Sequence, residues 1–181
     1  MNTPLTRLQA ALPAVKTWID QTLQQHANAA KPVANSGFIG LQNHYPVELL
    51  ARARVVVVPR VPFPPVSQLG LPEFSAMETM AMGGVTYKDT FFVRSDQQTE
   101  SLYFHELVHV VQWGRLGVDN FLLAYAIGLL QHGYMQSPLE QMAYQLQTAF
   151  DQHQVPQDLL DFINEQTDSV WRAANRTLVA G

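Results

Sequence analysis

The 181-residue sequence contains no cysteine, which excludes disulfide bonds and thiolate chemistry. Lys, Arg, Asp and Glu together make up only 14% of the chain, and the formal net charge is −4. No basic run interleaved with aromatic residues occurs, so nucleic-acid binding is not expected. The low charged fraction is compatible with a large substrate groove, with a partner surface or with a homodimer.

Long hydrophobic runs are also missing. The longest, FLLAYAIGLL at residues 121–130, is too short to cross a bilayer, which takes about 20 residues, and it predicts a buried core helix. Residues 1–21 lack the basic start and the continuous apolar segment of a signal peptide. Together these absences predict a cytoplasmic protein without a membrane span.

The length and the hydrophobic content of 47% predict a single domain over residues 1–181. Apolar residues at helical spacing predict an N-terminal helical segment within residues 1–35, which Pro13 is expected to kink or split. Residues 27–38 are poorly patterned and predict a connection. Residues 46–53 predict a short helix with a proline in its first turn.

The sheet is predicted within residues 54–94. Four consecutive valines at 55–58 indicate a strand that is buried on both faces. GVTYKDTFFVR at 84–94 predicts a hairpin of two short strands around Lys88 and Asp89. The segment 62–72 between these strands is rich in proline and glycine and predicts a loop.

Helices are predicted to dominate the second half of the chain. Ser95 with Gln98 can cap the first of them, and Gly114 and Gly117 are expected to end it. The predicted helices span residues 97–113, 118–131, 138–152 and 156–176. Because the strands come first and the helices follow, the pattern favours an α+β fold over an alternating one.

FHELVHVVQW at residues 104–113 places two histidines four positions apart around a glutamate. In a helix, His105 and His109 would lie one turn apart on one face and could bind the same cation. Glu106, rotated about 100°, is poorly placed as a ligand but could take a proton from a metal-bound water. This is the chemistry of the HExxH zinc motif. The alternative is an ordinary helix with two hydrogen-bonded histidines.

A catalytic zinc needs a third protein ligand. Glu140, near the start of a predicted helix, is the better placed candidate, and His132 is another. Ser137, Pro138 and Glu140 fit a capping box equally well, so spacing alone leaves both roles open for Glu140. The weaker candidates for the third ligand are Asp119, Asp151 and His153.

HELVHVVQW followed by PLEQMAY resembles the gluzincin clan of zinc metallopeptidases, with the closest likeness to small bacterial zincin-like domains, the minigluzincins. The matched positions are His105, Glu106, Leu107, His109, Val110, Gln112, Pro138, Leu139, Glu140 and Ala143. The resemblance covers residues 84–150. It implies a zincin-like fold, in which a small mixed or antiparallel sheet packs its edge strand on the active-site helix and a mainly helical C-terminal half follows.

The same resemblance implies a metallopeptidase with one zinc ion per chain. His105, His109 and Glu140 would hold the ion, and Glu106 would be the general base. The alternative function is a zincin-fold protein without catalysis that binds a metal or a partner. Metal-binding histidines are often oriented by a carboxylate that accepts a hydrogen bond from the other ring nitrogen, but the sequence identifies no acidic partner for either histidine.

Peptidases of this type bind an extended peptide or protein substrate along an edge strand. Thr90–Arg94 is the candidate strand, although an ordinary core strand fits it equally well. A donor to the developing oxyanion is also required, and Tyr134 is the first choice, with His132 and Tyr144 as alternatives. Gln112, one turn beyond His109, could support a ligand or cap the helix end.

Overall fold

The computed structural model describes residues 3–180 and shows an α+β fold. The helices are α1 (Pro4–Gln25), α2 (Val47–Arg52), α3 (Ser75–Thr79), α4 (Glu100–His132), α5 (Pro138–Asp151) and α6 (Leu159–Ala180). The strands are β1 (Lys31–Pro32), β2 (Arg54–Val58), β3 (Gly84–Tyr87) and β4 (Thr90–Arg94). No helix within residues 3–180 is long and apolar enough to span a membrane.

The N-terminal helix α1 is continuous, so of the two outcomes predicted at Pro13, a kink or a split, the split is wrong. Thr3 caps α1 by accepting a hydrogen bond from the Thr6 amide, and Pro4 occupies the first turn, where its missing N–H costs nothing. Pro13 lies on the exposed face, whereas Leu8 and Ile19 on the other face are buried in the core. Burial of that apolar face therefore keeps the helix intact across the proline.

The four strands form one mixed sheet in the order β1-β2-β4-β3. β2 and β4 are parallel, while the other two pairs are antiparallel. The hairpin predicted around Lys88 and Asp89 is confirmed, and Lys88 adopts the positive φ of 60° that the tight turn requires.

Thr90–Arg94 does form a strand, but the prediction that it is an edge strand is wrong, because β4 lies between β2 and β3. Phe91 and Phe92 on β4 are fully buried, as expected of a core strand. β3 is instead the edge of the sheet beside α4. The valine strand β2 is confirmed, but Val57 remains 44% exposed, so burial on both faces is not complete.

The long helix α4 begins later than predicted, and its bend lies at Gly117, one of the two glycines predicted to end the first helix. Thr99 caps it by accepting a hydrogen bond from the Leu102 amide, whereas Ser95 and Gln98 lie before the cap. Gly114 stays within the helix and does not end it. Gly117 has φ 73° and ψ 172°, and this non-helical conformation kinks α4 into two helical halves.

The C-terminal helices pack on α4, which also contacts β3. Phe104 on α4 stacks on Phe150 of α5 with ring centres 4.5 Å apart. Trp113 stacks on Phe121 across the Gly117 kink at 4.0 Å. The helix predicted at 138–152 is confirmed as α5, and α6 begins at Leu159, later than predicted. The first half of α4 is therefore enclosed between the sheet and α5.

Candidate metal centre

Helices α4 and α5 bring His105, His109 and Glu140 together, and each side chain is about 95% buried. One ligand atom from each residue lies within 4.8 Å of the other two. The two histidine Nε2 atoms are 3.2 Å apart, and each lies 3.5 Å from a carboxylate oxygen of Glu140. Two imidazoles and a carboxylate are a donor set that could hold a metal ion.

Glu140 does not form the capping box that its spacing also allowed. Ser137 occupies the N-cap position of α5, but its side chain makes no capping hydrogen bond. Glu140 Oε1 accepts a hydrogen bond of 2.6 Å from the Tyr125 hydroxyl, whereas the buried Oε2 has no hydrogen-bond partner among residues 3–180. A buried carboxylate oxygen without a hydrogen bond is costly, and a cation bound by this group would remove that cost.

The pKa values of His109 and Glu140 are shifted strongly by the charges of their neighbours in the group. Burial by itself raises the pKa of the Glu140 carboxyl, but the neighbouring His109 and His105 outweigh it and hold that pKa well below its usual range. Burial likewise lowers the pKa of His109, and the Glu140 charge reverses the effect and raises it to about 9. In the metal-free protein at neutral pH, His109 and Glu140 are therefore an ion pair.

Metal binding is expected to release about one proton per ion at pH 7, because His109 must lose its proton to become a ligand. Since the pKa of His109 is raised, the proton is bound below pH 9 and lost above it. The apparent affinity should therefore rise about tenfold per pH unit up to pH 9. Titration calorimetry in two buffers with different ionisation enthalpies measures the protons released. Binding that releases no proton at pH 7 would contradict the ion pair.

Two glutamines orient the histidines. His109 Nδ1 lies 2.8 Å from Gln112 Oε1, and His105 Nδ1 lies 3.1 Å from Gln147 Oε1. Because an amide oxygen only accepts, each Nδ1 carries the hydrogen, and each Nε2 is left to face the centre. This contact fits the first of the two roles predicted for Gln112, the support of a metal ligand.

The side-chain Nε2 atoms of both glutamines are also hydrogen-bonded, and this fixes the orientation of each side chain. Gln112 Nε2 donates to the Leu139 carbonyl at 3.2 Å. Gln147 Nε2 donates at 2.9 Å to the hydroxyl of Ser101, which in turn donates to Asp151 at 3.0 Å. Amide oxygens therefore take the place of the acidic partners that the sequence did not reveal.

Replacing Gln147 with Leu is expected to weaken metal binding about 10- to 100-fold, because His105 loses the acceptor that holds Nδ1–H. Gln145, exposed on the same helix, provides the control, and Gln145→Leu should leave the affinity unchanged. Competition with a chelator of known affinity measures both variants. Equal affinities in the two variants would show that Gln147 does not position His105.

Glu106 lies beside this group but is held by the sheet. The Thr86 hydroxyl on β3 donates to Glu106 Oε2 at 2.7 Å. A Cβ atom at Gly84 would lie 2.3 Å from Glu106 Oε1, so only glycine permits this approach of the strand. Burial raises the pKa of the Glu106 carboxyl, although His105, His109 and the Thr86 hydrogen bond oppose the shift. The strand at the site is thus β3.

Tyr134 lines the same pocket as the His105, His109 and Glu140 group. Its hydroxyl lies 3.3 Å from the Tyr144 hydroxyl, and the Tyr144 ring lies 4.6 Å from the ring of His105. Burial raises the pKa of Tyr134, so its hydroxyl keeps its proton at neutral pH.

The other candidates for the third ligand lie outside the group of His105, His109 and Glu140, so their prediction for that role is wrong. His132 and His153 are exposed. Asp119 forms an exposed ion pair with Lys16 at 2.5 Å, and Asp151 accepts from Ser101. Among the described residues that line the pocket of Tyr134, His132 does not occur, which leaves it without a role there.

Sequence reasoning missed Tyr125 and Gln147. Tyr125 lies inside the apolar run 121–130. A tyrosine hydroxyl buried there needs a hydrogen-bond partner, and this requirement was the sequence signal for a polar contact. Gln147 lies seven residues after Glu140 and hence on the same face of α5. Neither signal identifies the partner side chain, which belongs to another helix.

Comparison with known proteins found no match to this chain among family models, curated proteins or solved structures.

Proposed function

We propose that this protein is a zinc-dependent metallopeptidase of the gluzincin type. The observation that carries the proposal is the convergence of Glu140, from a separate helix, on His105 and His109 at 3.5 Å, with the buried carboxylate of Glu106 lining the same pocket. Two histidines and one glutamate are a ligand set of catalytic zinc. A bound zinc ion would polarise the scissile carbonyl and lower the pKa of an attacking water.

Glu106 is the general base in this proposal. Thr86 occupies Oε2 with a hydrogen bond, so Oε1 is the atom that takes the proton from the attacking water. The carboxyl then returns this proton to the nitrogen of the leaving amine. Its raised pKa suits both transfers, because a base works best when its pKa approaches the working pH.

Tyr134 is the proposed donor to the oxyanion. Its hydroxyl is protonated at neutral pH and lies in the same pocket as Glu106. The hydroxyl of Tyr125 is already engaged by Glu140, which leaves Tyr134 as the freer donor of the two.

The arrangement of β3 beside α4 supports a zincin-like site. β3 ends the sheet within residues 3–180, so one of its sides is not paired with another strand there and could bind an extended peptide. The indole nitrogen of Trp113 donates to the Thr86 carbonyl at 3.2 Å, which leaves the end of β3 near Gly84 for such pairing.

The test is a digest of a broad peptide library by the zinc-loaded protein, with products identified by mass spectrometry. We expect cleavage that a chelator stops and added zinc restores. Stoichiometric zinc without any cleavage would contradict the peptidase, and the protein would then be a metal-binding protein without this activity.

Replacing Gly84 with Ala is expected to lower the rate of hydrolysis at least about tenfold while zinc stays bound. The new Cβ would lie 2.3 Å from Glu106 Oε1, so the carboxylate must turn away from its working position. Gly114→Ala is the matched control, because a Cβ there meets no atom of residues 3–180 within 4 Å. Initial rates and zinc content measure the effect, and a Gly84→Ala variant as active as Gly114→Ala would refute it.

A further inference from the structure

Tyr125, on the second half of α4, contacts the metal centre without belonging to its group of three ligand residues. Its hydroxyl donates to Glu140 Oε1 at 2.6 Å, which is the length of a hydrogen bond to a charged carboxylate. A tyrosine hydroxyl has a single hydrogen to donate, and this contact uses it. Tyr125 therefore acts on the carboxylate of Glu140, and its hydroxyl is not free to donate to a substrate.

Both oxygens of the Glu140 carboxylate face the histidines. Oε1 lies 3.5 Å from His109 Nε2, and Oε2 lies 3.5 Å from His105 Nε2. Carboxylates bind cations through one oxygen or through both, and this placement by itself allows either mode. Tyr125 makes the two oxygens unequal, because it occupies Oε1 while the buried Oε2 has no hydrogen-bond partner among residues 3–180. Oε2 is thus the oxygen left for an ion.

The bend of α4 at Gly117 brings Tyr125 to this position. A straight helix would rise about 24 Å from His109 to Tyr125, at 1.5 Å for each residue. Glu140 nevertheless contacts both side chains. Gly117 permits the bend because glycine adopts its positive φ of 73° without the steric cost that a side chain would bring. The kink therefore returns the second half of α4 to the centre.

Stacked aromatic rings hold Tyr125 in place. Its ring lies 5.7 Å from that of Phe121 at an angle of 19°, and Phe121 stacks on Trp113 at 4.0 Å. Trp113 is itself fixed by its hydrogen bond to the Thr86 carbonyl on β3. A phenylalanine at position 125 could keep the contact with Phe121, so Tyr125→Phe removes the hydroxyl and leaves the ring.

We propose that Tyr125 is a positioning residue, which holds Glu140 Oε1 and so restricts Glu140 to binding the ion through Oε2 alone. The proposal rests on the proposed hydrolase and its metal centre. Catalytic zinc keeps a position for water beside its three protein ligands, and a further ligand atom from the protein would compete for that position. Binding through one oxygen leaves the position to the water that Glu106 deprotonates.

The test loads wild-type protein and Tyr125→Phe with Co²⁺ and records the visible absorption, which reports the coordination geometry of the ion. We expect a four-coordinate spectrum for the wild type. Tyr125→Phe frees Oε1 to bind as well, so its absorption should fall to the weaker spectrum of a five-coordinate ion. Elemental analysis of each sample measures the bound Co²⁺.

Tyr45→Phe is the matched control. It also removes a buried hydroxyl, which donates to the Phe104 carbonyl at 3.0 Å, and Tyr45 does not occur among the described residues that line the pocket of Tyr125. Its spectrum should match the wild type. Equal spectra of wild type and Tyr125→Phe would overturn the proposal, as would loss of Co²⁺ by Tyr125→Phe. A wild-type protein that is already five-coordinate or binds no Co²⁺ would overturn it without any variant.

Kinetics separate this inference from the hydrolase on which it rests. With zinc bound, Tyr125→Phe should lower kcat about 10- to 100-fold and leave KM nearly unchanged, because Tyr125 acts through Glu140. The expected spectral change in a protein that cleaves no peptide would refute the hydrolase and support the role of Tyr125. Peptide cleavage by a Tyr125→Phe variant with unaltered spectrum and kcat would refute that role and leave the hydrolase standing.

Discussion

Glu106→Gln is expected to abolish hydrolysis, with kcat/KM falling about 100- to 10,000-fold, while zinc stays bound. Glutamine matches glutamate in shape and still accepts the hydrogen bond from Thr86, so the packing of β3 on α4 should be kept. It has no basic oxygen that could take the proton from water. Glu106 is not one of the three clustered ligand residues, so zinc content should not change.

Kinetics on a cleaved peptide and elemental analysis of the same preparation give both quantities. Glu165→Gln is the matched control, because Glu165 is exposed on α6, and it should retain full activity. Glu106→Gln protein that still cleaves at the rate of the control would remove Glu106 from the mechanism.

His109→Ala is expected to reduce bound zinc from about one ion per chain to none. His109 Nε2 lies 3.2 Å from the His105 nitrogen and 3.5 Å from Glu140, so its loss leaves only two ligands. Catalytic zinc takes three protein ligands. Elemental analysis after zinc reconstitution and dialysis measures the change.

His132→Ala is the control, since His132 is exposed and outside the group. It should keep its zinc, as the wild type does. Thermal unfolding adds an independent readout: zinc at about 1,000 times its Kd stabilises a binding protein by about 4 kcal/mol, and His109→Ala should show no such shift. Zinc retained by His109→Ala and lost by His132→Ala would show that the ligand set is wrong.

Much of the fold and two of the three residues of the centre were predictable because they depend on short-range spacing. Helical geometry alone places His105 and His109 on one face, and the chain indeed forms a helix there. The hairpin around Lys88 and Asp89 likewise depends on neighbouring residues. The α+β class followed from the order of the strand and helix patterns. The zincin-like assignment remains a prediction.

Tertiary structure decided the features that depend on distant parts of the chain. Spacing allowed Glu140 to cap α5 or to bind a metal, and packing of α5 on α4 turned its carboxylate toward the histidines. The choice of edge strand depended on the parallel pairing of β2 with β4 across a long connection, which no local pattern encodes. That pairing placed β3, and with it Gly84, against Glu106.

The sequence thus identifies the two histidines of the centre, because the helix that contains an i, i+4 pair also fixes the relative position of its two side chains. The approach of Glu140 to the histidines, the orienting glutamines and the residues of α1 that line the pocket depend on which apolar faces pack together. The hydrophobic effect is non-directional and does not specify which apolar surfaces meet. The contacts that it produces are therefore defined only in the folded protein.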